Sequence, residues 1–172
     1  MNDIIKGRVW KFGDNISTDL MMPGYATGSN MEEISRFSMR SNRPGWVAQV
    51  KPGDIIIAGS NFGCGSSRPA ARILKILGIQ AVLAESISRL FLRNAINSGL
   101  VALPCRSVYQ IFTEGDTAEV NVATGMVKNL VTGVIIKGVP LPEGSPPMEI
   151  LRAGGIIPLL EKEYLKPSQE TD

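Results

Sequence analysis

The residues best equipped for chemistry sit in one stretch, Gly59-Ser60-Asn61-Phe62-Gly63-Cys64-Gly65-Ser66-Ser67-Arg68. Glycines let a backbone turn sharply and approach a ligand closely. Two hydroxyls and a guanidinium follow them, and arginine grips a carboxylate through two parallel hydrogen bonds. A helix starting here would add unpaired N–H groups and the positive end of its dipole. The stretch therefore predicts an anion seat made of Ser66, Ser67, Arg68 and backbone amides. The plain alternative for the same residues is a glycine-rich turn with a serine N-cap and a solvent-facing arginine. Gly-x4-Gly-Lys-Ser/Thr is absent, which excludes a P-loop, and Gly-x-Ser-x-Gly is absent, which excludes a hydrolase nucleophile elbow.

The chain has 172 residues and no histidine. That removes the Ser-His-Asp triad, the Cys-His pair and every His-containing zinc site. Acid–base work falls to Asp, Glu, Lys, Tyr, Ser or Cys, or to a partner chain. Cys64 and Cys105 are too few for a disulfide framework or for the thiolates of an iron–sulfur cluster. Both are expected to be packing residues. A net charge of +2, with no basic run interleaved with aromatics, argues against nucleic acid, RNA regulation included. No apolar stretch approaches the roughly 20 residues of a membrane span, and the first residues lack the pattern of a signal peptide. No membrane partner is expected, and the expected location is the cytoplasm. Length and apolar content suit a single domain over residues 1–172, with a core at 4–140 and a C-terminal helical extension at 145–166.

The elements that must hold the glycine-rich stretch follow from periodicity. Ile4 to Phe12 predicts a strand, ended by Gly13-Asp14-Asn15. Ile16 to Tyr25 reads as a loop, and Met31 to Met39 as a short helix with Ile34 and Phe37 on one face. The β-branched run Ile55-Ile56-Ile57-Ala58-Gly59 suits a strand buried on both faces. Ala70, Ile73, Leu74 and Leu77 predict a helix over 69–77, with Pro69 as its first residue, Ser67 or Arg68 before it and Gly78 after it. Gln80 to Ala84 is a second buried strand. Ser86 is the expected N-cap of a helix over 87–98. Leu100 to Leu103 is a third strand, closed by Pro104. This β-α-β-α-β run predicts parallel strands with right-handed crossovers. Thr117 to Val122 and Met126 to Leu130 flank a hairpin signal. Val134 to Lys137 is a further strand, Leu141 to Pro147 a link, and Met148 to Leu151 and Ile156 to Tyr164 short helices. Pro167 to Asp172 is expected to fray. Asp54 and Glu85, at a turn and a strand end, are expected to be solvated.

The segment Asn61 to Arg68 resembles the signature of the swivelling domain of aconitases and isopropylmalate dehydratases. Three further stretches resemble the family in the same order: Gly13 to Asp19 with its Thr18-Asp19 pair, Ile79 to Arg93 with Ala84-Glu85-Ser86, and Asn94 to Gly99. The resemblance implies an α/β swivelling domain, a mixed β-sheet with a parallel β-α-β-α-β core flanked by helices, plus a C-terminal hairpin. It implies a small subunit of a heteromeric hydro-lyase, active only with a large subunit that carries a [4Fe–4S] cluster, this chain binding no cofactor. The substrate would be a small hydroxy-dicarboxylic acid, dehydrated and rehydrated. Matched position by position, Ser66 is the base and Asp19 an active-site, catalytic aspartate. Arg68 binds a substrate carboxylate, and Ser67, Gly65, Tyr25 and Thr27 join it in substrate binding. Arg93, Asn94 and Asn97 are expected to brace the loop.

Two departures shape the expected substrate. The family's usual Glu-His after the arginine is Pro69-Ala70 here, which admits a paralogue acting on a related substituted malate. The loop after Asp19, which in the family selects the side group, reads Met21-Met22-Pro23-Gly24-Tyr25-Ala26-Thr27. A third carboxylate, as in homocitrate-type substrates, would need a cation to offset its desolvation, and none lies there. Methionine and tyrosine suit an apolar branch. Isopropylmalate is the expected substrate, with dimethylmalate or homoaconitate as the paralogous alternatives. A non-catalytic small-anion-binding module is the alternative of another class.

Overall fold

A computed structural model describes residues 3–26, 28, 30–65 and 68–164. The expected fraying at 167–172 lies outside them. Strand β1 (Ile4–Phe12) leads into α1 (Thr18–Met21), α2 (Met31–Ser35), β2 (Ile55–Ala58), α3 (Ala70–Ile76), β3 (Ala81–Ala84), α4 (Arg89–Asn97) and β4 (Val101–Pro104). Then come α5 (Val108–Ile111), the hairpin of β5 (Thr117–Asn121) and β6 (Met126–Asn129), β7 (Ile135–Lys137), α6 (Pro146–Ala153) and α7 (Ile156–Tyr164).

All seven strands form one mixed sheet in the order β4-β3-β2-β1-β5-β6-β7. β1 pairs parallel with β2, β2 with β3 and β3 with β4, whereas β5, β6 and β7 continue from β1 as an antiparallel meander. Every residue of β2 and β3 is buried, which explains their unbroken apolar sequence. One face packs Trp10, Phe12, Ile56, Ala58, Val82 and Ala84 against Ala70, Ala71 and Leu74 of α3 and Phe91 of α4. The other packs Val9, Ile55, Ile57, Ala81 and Leu83 against Val108 and Phe112 around α5 and Leu151 of α6. This is the mixed sheet with a parallel core and C-terminal hairpin that the sequence implied.

Several boundaries differ from the sequence reading. The supposed loop after Asn15 contains α1, whose N-cap Ser17 accepts from Leu20 N at 3.3 Å. α3 starts one residue late: Pro69 is the N-cap and lends no side-chain bond, while Ala70 N reaches Arg68 O at 2.7 Å. Neither Ser67 nor Arg68 is therefore the cap position. Ser88, not Ser86, caps α4, its Oγ accepting from Phe91 N at 3.2 Å. Pro104 ends β4 from inside, at the sheet edge where a missing N–H costs little. α5 was missed because its four residues are too few to show a helical period.

Candidate active site

The parallel strands end together at Phe12, Ala58 and Ala84. The loops after those ends meet, as open α/β sheets commonly arrange their ligand sites. Backbone bonds weave the three into one mouth. Asn15 N reaches Ser60 O at 2.8 Å, Gly63 N reaches Ile16 O at 2.7 Å and Thr18 N reaches Cys64 O at 2.8 Å. From the other side Phe62 N donates to Ser86 O at 3.0 Å and Ser88 N to Phe62 O at 2.9 Å. Side chains complete the brace: Asp14 Oδ1 accepts from Ser60 N at 2.6 Å, and Asn61 Nδ2 donates to Asn15 Oδ1 at 2.8 Å. Ser86 Oγ accepts from Asn61 N at 2.8 Å, and Ser88 Oγ donates to Gly63 O at 2.6 Å.

The glycines have separate reasons to be there. Gly63 sits at φ +76, and a β-carbon on it would lie 2.3 Å from Phe91 Cβ. Gly65, at φ +99, brings the chain against the N-terminal segment: a β-carbon there would lie 3.3 Å from Thr18 Oγ1 and 3.9 Å from Asp19 Oδ2. Arg68 Nε is 2.7 Å from Asp19 Oδ1. Gly24 closes the far side, its missing β-carbon 3.2 Å from Arg68 Nη2. Asp19 and Gly24 from one stretch of sequence thus converge with Gly65 and Arg68 from another. Tyr25 stands 55% exposed beside them, held edge-on to Phe37 with ring centroids 6.3 Å apart. Ser66, Ser67 and Thr27 lie outside the described residues.

Comparison with known proteins now bears on the site. The family described as aconitase C-terminal domain matches residues 25–107. The isopropylmalate/citramalate isomerase small subunit of Methanocaldococcus jannaschii is 51% identical over 165 residues, covering 95% of this chain and 97% of that one. The 3-isopropylmalate dehydratase small subunit 1 of Thermotoga maritima is 44% identical, covering 92% of this chain and 96% of its own. A crystal structure of 3-isopropylmalate dehydratase from Methanocaldococcus jannaschii superposes with a TM-score of 0.87 at 38% identity, covering 98% of this chain and 99% of the other.

The chain belongs to the isopropylmalate dehydratase small-subunit family.

With it the chain joins the hydro-lyases of the aconitase superfamily. The family's names span more than one substrate, since a 40% identical relative from Methanothermobacter thermautotrophicus is a methanogen homoaconitase small subunit. Membership fixes the reaction class, and the residues around the mouth bear on the rest.

Some sequence expectations change in this light. Met21, taken as lining the side-group pocket, is fully buried in the chain's own core, and Pro23 is buried too. Of that apolar loop, Met22 and Tyr25 keep exposed surface. Glu85 is not simply solvated: its oxygens accept from Ser107 N at 2.8 Å and Tyr109 N at 2.9 Å, securing the start of α5. Asp54 is buried, taking bonds from Arg8, Trp10 and Lys51. Cys105 is buried, and burial, then the Glu85 charge, push its thiol up to about 11, which leaves it inert. Among the described residues no group of three Cys, Asp or Glu side chains is placed to hold a metal ion, and no helix is long and apolar enough to cross a membrane. Sequence reasoning missed the bracing roles of Asp14, Asn15, Asn61, Ser86 and Ser88. The one visible signal was an asparagine at each of two turns, the residue that best tolerates positive φ after glycine, as Asn15 (φ 56) and Asn61 (φ 62) do.

Proposed function

We propose that the chain is the small subunit of a 3-isopropylmalate dehydratase. It supplies a serine base and a carboxylate-gripping arginine to a substrate held in the cleft of a large partner subunit. The observation that carries this reading is the convergence of Asp19, Gly65 and Arg68 at one mouth, on both flanks of Ser66 and Ser67 in sequence. Ser66 removes the proton beside a substrate carboxylate. A serine hydroxyl is a weak base and needs nearby N–H donors to stabilise its alkoxide, which the glycine-rich backbone is suited to provide. Ser67 and Gly65 add donors, Arg68 takes the carboxylate, Asp19 is the active-site aspartate paired with it, and Tyr25 and Thr27 border the side group.

The [4Fe–4S] cluster belongs on the large subunit. This chain's own thiols do not fit it, being two, with Cys105 buried inside the sheet's apolar face. Held there, such a cluster would supply Lewis-acid chemistry to the cleft from the large subunit's side. The cytoplasm is the compartment that suits a labile cluster and free thiols. Between Asp19 and Ala26 no Lys or Arg is present, so an apolar branch suits the side-group loop better than a third carboxylate. The name of the 51% identical relative adds citramalate to the substrates worth testing.

The test combines the purified chain with a candidate large subunit and follows the ultraviolet absorbance of the conjugated acid. Activity should appear only in the mixture, with isopropylmalate preferred over dimethylmalate, citramalate and homoaconitate. Ser66→Ala should lower kcat by roughly 100-fold or more, the scale of a general base, and Arg68→Ala should raise KM. If both variants turn over normally, the assignment is wrong. Binding of a dicarboxylate without turnover in any mixture favours the anion-binding module instead.

A further inference from the structure

Arg68 has two edges able to grip a carboxylate with paired N–H groups. One joins Nε to a terminal nitrogen and the other, the outer edge, joins Nη1 to Nη2. Asp19 Oδ1 stands 2.7 Å from Nε, the one salt bridge Arg68 makes among the described residues. Nε itself is buried and its N–H is not aimed along an ordinary hydrogen bond, so charge and contact hold the pair rather than a directed bond. The carboxylate therefore blocks the first edge.

Gly24 shows where the outer edge points. A β-carbon built there would lie 3.2 Å from Nη2, 3.7 Å from Nη1 and 3.8 Å from Cζ. Above the flat face of a guanidinium Cζ would be the nearest of the three atoms; here it is the farthest. Gly24 thus faces the outer edge, and having no side chain it places nothing of its own over that edge. Asp19 Oδ2 is directed towards Gly65, 3.9 Å from where a β-carbon would stand. Oδ1 is thus engaged by the Arg68 cation, while the Asp19 side chain as a whole keeps 58% of its surface exposed.

We propose that Asp19 is a positioning residue: it clamps Arg68 from the Nε side so that the outer guanidinium edge, beside Gly24, is presented to a substrate carboxylate. Its part in turnover is to orient that cation, not to transfer a proton. The inference rests on the reading of Arg68 as the carboxylate ligand.

Asp19→Asn in the assembled two-subunit enzyme tests it. Asparagine keeps the shape and an acceptor oxygen but drops the charge. KM should rise about tenfold, with kcat within about threefold of the parent, because uniform substrate binding is lost and the chemical step is not. The pH profile of kcat should keep both limbs. In a double-mutant cycle with Arg68→Lys the two effects on kcat/KM should be less than additive, since both act through one guanidinium. Melting temperatures of the variants check folding. Should the asparagine variant not assemble, Asp19→Glu, which keeps the charge but displaces it by a methylene, should likewise raise KM and spare kcat. A kcat collapse of about a thousandfold with KM unchanged, a lost limb of the pH profile, or an additive cycle would each overturn the proposal. If Arg68→Lys itself leaves KM unchanged, the reading of Arg68 falls first. If Arg68→Lys raises KM while Asp19→Asn is silent, only the positioning role falls.

Discussion

Gly63 shows what one missing side chain does. Its amide is bonded to Ile16 O and its carbonyl to Ser88 Oγ, so it is tied on both sides at φ +76. The ring of Phe91 fills the space a β-carbon would need, and Phe91 is itself buried against Phe62 with centroids 5.2 Å apart. Gly63→Ala meets two obstacles, the left-handed backbone and a contact of 2.3 Å. It should cost roughly 3 kcal/mol or more, the sum of a positive-φ penalty and core overpacking. For a chain of this length that is a melting temperature about 10 °C lower, measurable by calorimetry. The glycine-rich pattern announced a turn here, but nothing in the sequence said that a phenylalanine 28 positions later would occupy the space.

Among the elements, α4 does more than cover the sheet. Its cap Ser88 accepts from Phe91 N and donates to Gly63 O, so one hydroxyl both starts the helix and holds the glycine loop. Ser88→Ala should lower stability by about 1–2 kcal/mol, the range of a lost cap. It should also quicken amide exchange at Gly63 and Cys64, read by hydrogen-exchange mass spectrometry, whereas loss of an ordinary cap would quicken exchange only in the first turn of α4. In sequence, Ser86-Ile87-Ser88 offers two caps of equal merit. The choice was made by Asn61, whose amide takes Ser86 Oγ and leaves Ser88 to the helix. α1 was invisible for a related reason. Four residues carry no period, and that turn owes its shape to Thr18 N pairing with Cys64 O and Leu20 O accepting from Met39 N at 2.7 Å.

Across the whole molecule, the mouth at one end of the sheet is matched by a polar lock at the other. Asp54, just before β2, accepts from Arg8 Nη2 at 2.6 Å, Trp10 Nε1 at 2.7 Å and Lys51 N at 2.9 Å, and so fastens β1 to the turn that starts β2. Trp10 in turn stands edge-on to Trp46, centroids 6.3 Å apart, in the core beneath the segment that follows α2. Burial alone would push the Asp54 carboxyl up. The bonds from Arg8, Lys51 and Trp10 and the Arg8 charge outweigh it and hold the group below the ordinary carboxylate value. A depressed folded-state pKa means the associated stability is complete above the unfolded carboxylate value of about 4 and is lost as pH falls through the folded one. Asp54→Asn should therefore be destabilised by about 2 kcal/mol at pH 7, the worth of hydrogen bonds to a charged group. The gap to the parent should begin to narrow as urea melts are repeated below about pH 4. An unchanged gap would show that the charge of Asp54 is not what holds β1 to β2.

Local chemistry determined much of this protein. The β-branched run Ile55-Ile56-Ile57 suits a strand buried on both faces, helical spacing of Ala70, Ile73 and Leu74 gives α3, and Ala123-Thr124-Gly125 gives the hairpin, so the parallel strands and the hairpin were legible before any coordinates, while their union in one mixed sheet came from the family resemblance. The glycine-rich stretch and its arginine marked the mouth in the same way, because backbone freedom and a planar cation are properties of the residues themselves. Only the tertiary structure decided which groups face one another there. Asp19 and Arg68 are 49 positions apart, and no period or composition links them; they meet because β1 and β2 lie side by side in parallel and release their loops at the same end of the sheet. The same holds for Met21, substrate-facing loop by sequence context and core by contact, and for Asp54, whose three donors gather from two segments. Pairings of that kind depend on strand order and register, which a single chain of letters does not display.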